Sequence, residues 1–99
     1  TEVLVTAGAT EALAASILAL AGPGDDVVTL EPSYDAYAAV TGLAGARHVT
    51  IPLTEPGFQP SSAAIDAAIT DRTRVIVLNS PHNPTGSILE PEPLERIVA

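Results

Sequence analysis

Arg74-Val75-Ile76-Val77-Leu78 runs without a break into Asn79-Ser80-Pro81-His82-Asn83-Pro84-Thr85-Gly86, and this junction decides how the chain is read. The apolar run predicts a strand buried on both faces, the kind found inside a parallel sheet. The loop behind it is polar. Its two prolines fix φ and bias the residues before them toward extended forms. The Asn83 amide is thereby aimed outward with little conformational freedom. As a turn, Asn-Pro-Thr-Gly is ordinary; as a presented donor, Asn83 is a candidate binding residue. His82 reads as a structural histidine, because no Cys, second His or acidic cluster stands beside it to make a metal or base site.

Working outward, the pattern alternates between strand and helix. Val3–Thr6 reads as a strand, followed by a turn at Gly8-Ala9 and a helix from Thr10 to Ala21. Alanine and leucine favour that helix, and Glu11 suits the positive end of its dipole. It is apolar on nearly every face, which predicts burial. Gly22-Pro23-Gly24 stops it. Val27-Val28-Thr29-Leu30 is the next strand, ended by Pro32. Tyr34 to Leu43 is helical and closed by Gly42 and Gly45, and Arg47 to Leu53 alternates as a strand. Glu55 to Pro60 is a loop. Ser61 or Ser62 caps a helix reaching Ile69, with Ile65, Ala68 and Ile69 on one face. Pro91 and Pro93 open a last helix. There is no internal repeat and no linker. The rhythm predicts an open α/β sheet, whose ligands sit at the carboxyl ends of strands.

Composition narrows the function. The 99 residues are one small domain at most, 46% hydrophobic, with 16 glycines and prolines, too few for a low-complexity chain. A net charge of −8 argues against nucleic-acid and anionic-membrane binding, which need clustered cations. The apolar stretch from Ala12 to Gly22 is too short to span a bilayer. Without cysteine there is no disulfide, thiolate zinc site or cysteine nucleophile. Lysine is absent too, and the four basic residues are Arg47, Arg72, Arg74 and Arg96. Glu2–Thr6 and Leu94–Ala99 read as interrupted elements, so a fragment of a longer chain is expected.

Three stretches fall at strand ends. Gly8-Ala9-Thr10-Glu11-Ala12 is either a simple tight turn or an anion site, where backbone N–H groups and the dipole meet a negative ligand. Its glycine spacing fits neither a dinucleotide fingerprint nor a Walker A loop. Glu31-Pro32-Ser33-Tyr34-Asp35-Ala36-Tyr37 holds two of the three aromatic residues. Tyr34 either fills space or offers a ring face to a planar heterocycle, while Tyr37, one turn on, packs inward. Asn79–Gly86 is the third.

In this order, these stretches resemble the class I/II aminotransferases of the fold type I pyridoxal-phosphate (PLP) enzymes. Val5-Thr6-Ala7-Gly8-Ala9-Thr10-Glu11-Ala12-Leu13, Pro23-Gly24-Asp25-Asp26-Val27-Val28, Glu31 to Tyr37, Asp71-Arg72-Thr73-Arg74 and Asn79 to Gly86 carry the resemblance. It spans all 99 residues and is most specific at Asn-Pro-Thr-Gly. Tyr34-Asp35-Ala36-Tyr37 is most similar to the subgroup of kynurenine, methionine and N-succinyldiaminopimelate aminotransferases.

The resemblance implies a partial large PLP-binding domain over residues 1–99: three layers, α/β/α, around a mostly parallel sheet cut at both ends. It implies that Ala9 and Thr10 cradle the cofactor phosphate, with Gly8 permitting close approach. It implies that Tyr34 stacks on the pyridine ring. Asn83 would bond the phenolic oxygen and help seat the substrate carboxylate, with Asn79 shaping the same wall. The implied activity moves an amino group from an amino acid to a 2-oxo acid, in a cytoplasmic homodimer that binds neither nucleic acid nor membrane. The family's cofactor-binding lysine, the aspartate at the ring nitrogen and the carboxylate-clamping arginine lie beyond the Asn-Pro-Thr-Gly loop. No catalytic residue and no metal ligand is therefore expected here, and the piece alone is expected to be inactive. A C–S lyase, an amino-acid cyclising enzyme and a PLP-sensing domain of a transcriptional regulator share these features, and an α/β domain without cofactor is the plain alternative.

Overall fold

A computed structural model describes residues 2–99. Its elements follow in the order α1 (Gly8–Leu20), β1 (Asp26–Glu31), α2 (Asp35–Ala44), β2 (Arg47–Thr54), β3 (Gln59–Pro60), α3 (Ser62–Ala68), β4 (Thr73–Val77) and α4 (Pro91–Val98). The sheet order is β3-β2-β1-β4. β1 pairs in parallel with both β2 and β4, and only the short β3 runs antiparallel.

Alternation along β1 builds the three layers. Val28 and Leu30 face one side, where Ile51, Leu53, Ile65 and Ala68 complete a buried cluster, with Ile97 of α4 packed against it. Val27 faces the other, against Ile17, Ala21 and Val40 beneath α1 and α2. Each such aliphatic side chain taken fully from water contributes roughly 1.5–3 kcal/mol. Local signals set the ends. Ser61 caps α3 by accepting the Ala64 N–H at 3.1 Å. Gly45 closes α2 at φ 75°, a left-handed conformation that a β-carbon would strain. Gly42, expected to help close that helix, lies inside it.

Four further expectations are corrected. Val3–Thr6 is not a strand: Val3, Leu4 and Val5 are 83–88% exposed, because no neighbouring strand accepts their backbone. The helix read as Thr10–Ala21 starts at Gly8, and only Ile17 within it is buried, while Leu18 and Leu20 stay exposed. The strand read as buried on both faces is an edge strand, its residues half-covered and Arg74 exposed, because among the described residues no strand pairs with its outer side. Within the loop read from Glu55 to Pro60, Gln59 and Pro60 pair back onto Thr54 and Leu53.

Candidate functional site

Because β1 and β4 are parallel, the segments leaving them emerge on the same edge of the sheet. The start of α1 reaches that edge as well. Together they enclose a cavity of about 350 Å³ lined by Ala9, Thr10, Leu13, Tyr34, Tyr37, Val77, Leu78, Asn79 and Asn83. Its volume lies in the range of small-molecule sites, roughly 300–1,000 Å³. Five of the six candidate residues thus meet around one space. Gly8 does not line it. Its φ of 79° turns the chain into α1, and a β-carbon there would point into open space.

The wall at the α1 end presents the start of a helix without a side-chain cap. The N–H groups of its first turn therefore have no side-chain acceptor. The Thr10 hydroxyl lies beside them in the same wall. Although the chain carries a charge of −8, no acidic residue lines this cavity. A dianion placed there would meet dipoles rather than carboxylates.

Tyr34 stands at the entry to α2, 44% exposed. Its ring meets Tyr37 edge-on, with centroids 6.0 Å apart at 86°. Tyr37 is buried, as its spacing suggested, and packs against Tyr34 as a T-shaped pair. Asn79 braces the loop from within. In the orientation that satisfies both ends of its amide, Nδ2 donates to the Pro81 carbonyl at 3.1 Å and Oδ1 accepts the Asn83 N–H at 3.2 Å. His82 is buried, and desolvation pushes its imidazole below the usual histidine range, against a backbone hydrogen bond to Pro32 that raises it. It is a neutral structural residue. Among the described residues, no group of three or more His, Cys, Asp or Glu could hold a metal ion, and no helix is long and apolar enough to cross a membrane.

The apolar walls were less visible in advance. Leu13 follows Thr10 by three positions and so shares its helix face, a signal the sequence held. Val77 and Leu78 reach the cavity as the last residues before Asn79.

The family model for aminotransferases of class I and II matches residues 1–99. The chain belongs to the class I and II aminotransferases. A probable N-succinyldiaminopimelate aminotransferase from Mycobacterium tuberculosis is 50% identical over 99 residues, which are 98% of this chain and 25% of that protein. The solved structure of the Mycobacterium tuberculosis N-succinyldiaminopimelate aminotransferase matches at a TM-score of 0.91 and 50% identity, over 98% of this chain and 26% of that one. A methionine aminotransferase from Escherichia coli is 42% identical over 87 residues, covering 88% of this chain and 22% of the relative. A putative kynurenine aminotransferase from Saccharomyces cerevisiae, Bna3p, matches at a TM-score of 0.84 and 30% identity, over 91% and 24% of the two chains. The subgroup suggested by Tyr34-Asp35-Ala36-Tyr37 is therefore represented by all three names. The chain spans about a quarter of the length of these aminotransferases, which as a family are generally PLP-dependent.

Proposed function

We propose that these residues form part of the cofactor-binding domain of a PLP-dependent aminotransferase, a parent chain that transfers an amino group from an amino acid to a 2-oxo acid. The observation that carries this reading is the convergence of Ala9, Thr10, Tyr34, Asn79 and Asn83 on one cavity at the carboxyl ends of parallel strands. The donor set fits the cofactor. N–H groups and a hydroxyl suit a phosphate, an aromatic face suits a pyridine ring, and an amide donor suits a phenolic oxygen.

Each residue then has a defined task. Thr10 and the first-turn N–H groups of α1 would hold the phosphate. Tyr34 would offer a ring face to the pyridine, and Leu13, Tyr37, Val77 and Leu78 would exclude water from its surroundings. Asn83 would donate to the phenolic oxygen and border the place of the substrate carboxylate. When bound, PLP supplies the electron sink for carbanion chemistry. No lysine exists among the 99 residues, so the covalent attachment belongs to another part of the parent. The same reading takes the parent to be a cytoplasmic homodimer, on the family resemblance alone. Relatives with more than 40% identity carry different substrates in their names, methionine in one and N-succinyldiaminopimelate in another, so the family match does not name the amino donor.

Asn83→Ala in the parent tests the assignment. A hydrogen bond to a charged oxygen is worth about 1.5–3 kcal/mol, so the visible absorption of bound PLP should titrate about 1–2 pH units away from wild type. Thermal stability should hardly change, because Asn79 and the prolines brace the loop. An unaltered titration would remove Asn83 from the site.

A further inference from the structure

Ile88, Leu89 and Glu90 follow the Asn79–Gly86 loop without joining a helix or strand, so their peptide groups need partners from elsewhere. The Gln59 side chain, in β3, supplies two. Its Nε2 donates to the Ile88 carbonyl at 2.8 Å and to the Gly57 carbonyl at 3.1 Å, and its Oε1 accepts the Glu90 N–H at 3.0 Å. Two carbonyls at one end of the amide and an N–H at the other settle its orientation. The third peptide group faces back into the loop: the Leu89 N–H donates to the Ser80 hydroxyl oxygen at 3.0 Å. The Ile88–Leu89 peptide is thus held by Gln59 at its carbonyl and holds Ser80 by its N–H. Ser80 follows Asn79, which lines the cavity and whose amide accepts the Asn83 N–H. The Leu89 side chain packs on the buried cluster of Val28, Leu30, Ile51 and Leu53, which seats the segment on the sheet.

We propose that Gln59 is a positioning residue that sets Asn79 and Asn83 in the cavity wall through the Ile88–Leu89 peptide and Ser80. The upstream end of the loop is fixed by β4, where Val77 pairs with Thr29. The downstream end has no strand to hold it. There the Gln59 amide does the work of a neighbouring strand's peptide group, donating to Ile88 and accepting from Glu90 on either side of Leu89. Ser80 then closes the base of the loop across nine positions. A side chain of the same size without hydrogen bonds would leave the Ile88 carbonyl and the Glu90 N–H to water, and the base of the loop would lose its register on β3. The functional consequence rests on the proposed cofactor reading, whereas the route from Gln59 to Asn83 stands apart from it.

The test uses the parent protein with 15N-labelled asparagine, first freed of cofactor and then titrated with PLP. The Asn83 resonances are assigned by their loss in Asn83→Ala. Gln59→Ala and Ser80→Ala should each move the Asn83 amide resonances in the cofactor-free protein. Both act through one peptide group, so the double variant should move them little further than either single change. Gln59→Met keeps the length of the side chain without its hydrogen bonds, and it should behave as Gln59→Ala does. With PLP added, each variant should weaken retention by roughly 2–10-fold, the range spanned by the loss of one neutral hydrogen bond. The visible absorption of bound PLP should also titrate away from wild type, in the direction that Asn83→Ala gives. Asn83 resonances unmoved in Gln59→Ala would overturn the proposal. Wild-type behaviour of Gln59→Met would overturn it too, because packing would then suffice, and additive shifts in the double variant would remove the shared route. Moved resonances with an unaltered PLP titration would leave only a structural brace and end the positioning role. If the wild-type parent does not bind PLP, the cofactor reading fails, while the Asn83 resonances still decide whether Gln59 sets the loop.

Discussion

Replacing Tyr34 separates the ring from the hydroxyl. The side chain is 44% exposed, and its defined aromatic contact is the edge-on meeting with Tyr37. Truncation to alanine should therefore cost the fold little, on the order of the 0.5–1.5 kcal/mol of one aromatic pair. The ligand should lose more. Stacking of a heteroaromatic base on a protein aromatic is worth about 1–3 kcal/mol by alanine substitution, so Tyr34→Ala should raise the Kd for PLP roughly 5- to 150-fold. Tyr34→Phe keeps both ring faces and the Tyr37 contact, and the Tyr34 hydroxyl has no hydrogen-bond partner among the described residues, so its effect should stay within about threefold. The assay is equilibrium PLP binding to the parent enzyme, followed by visible absorption, alongside a thermal melt of each variant. Equal weakening by phenylalanine and alanine would show that the hydroxyl is the working part. A melt lowered as much as binding would make Tyr34 a packing residue instead.

Two other perturbations probe the rest of the chain. Asp26 is buried, and the hydrogen bond from Arg47 holds its carboxyl below the usual carboxylate range, against the cost of burial. Its folded pKa lies below its unfolded one, so its stabilisation is present above the unfolded value near ~4 and is lost as pH falls through the folded value. Urea midpoints of the parent between neutral and acid pH should decline less steeply for Asp26→Asn than for wild type, and parallel curves would refute this linkage. For the 99-residue chain alone, borohydride treatment with PLP should trap adduct only at the terminal amine, since no lysine is present. Peptide mapping that places the adduct anywhere else would contradict that expectation.

The elements that were legible from sequence are those whose partners lie within the chain. Val28 and Leu30 find Ile51, Leu53 and Ile65, so the parallel β1–β2 core follows from apolar alternation and β-branching. Val3 to Val5 carry the same composition and form no strand, because a β-strand is defined by a neighbour's hydrogen bonds. The apolar surround of α1 and the run from Val75 to Leu78 misled for the same reason. Hydropathy records the environment a side chain prefers, and coverage depends on which other segments are present. The site was legible as three separate stretches, since turn chemistry and strand ends are local. Its closure was not, because it depends on long-range pairing such as Val28 to Ile76 in the sheet.

The distribution of charge adds a constraint on how this edge of the sheet could hold a phosphate. Arg47 is engaged by Asp26, Arg74 approaches Asp25 and Arg96 is paired with Asp66. Arg72 lies with Asp25, Asp26 and Arg47 around a second, polar pocket of about 210 Å³ beside the first residues of β1 and β2. Three of the four arginines therefore gather at the amino ends of the strands, and the cavity at the carboxyl ends has no cation in its wall. There, an anion depends on the half-charge of a helix terminus and a few N–H donors, an effect of about 0.3–1 kcal/mol at exposed sites and up to ~2 where partly buried. That is small beside the cost of desolvating a phosphate dianion. If a phosphate is held here, these residues would orient it, and its charge would have to be balanced by groups other than the four arginines. On the proposed reading, Thr10 and the α1 N–H groups would orient the phosphate, and most of the affinity for it would come from the rest of the parent.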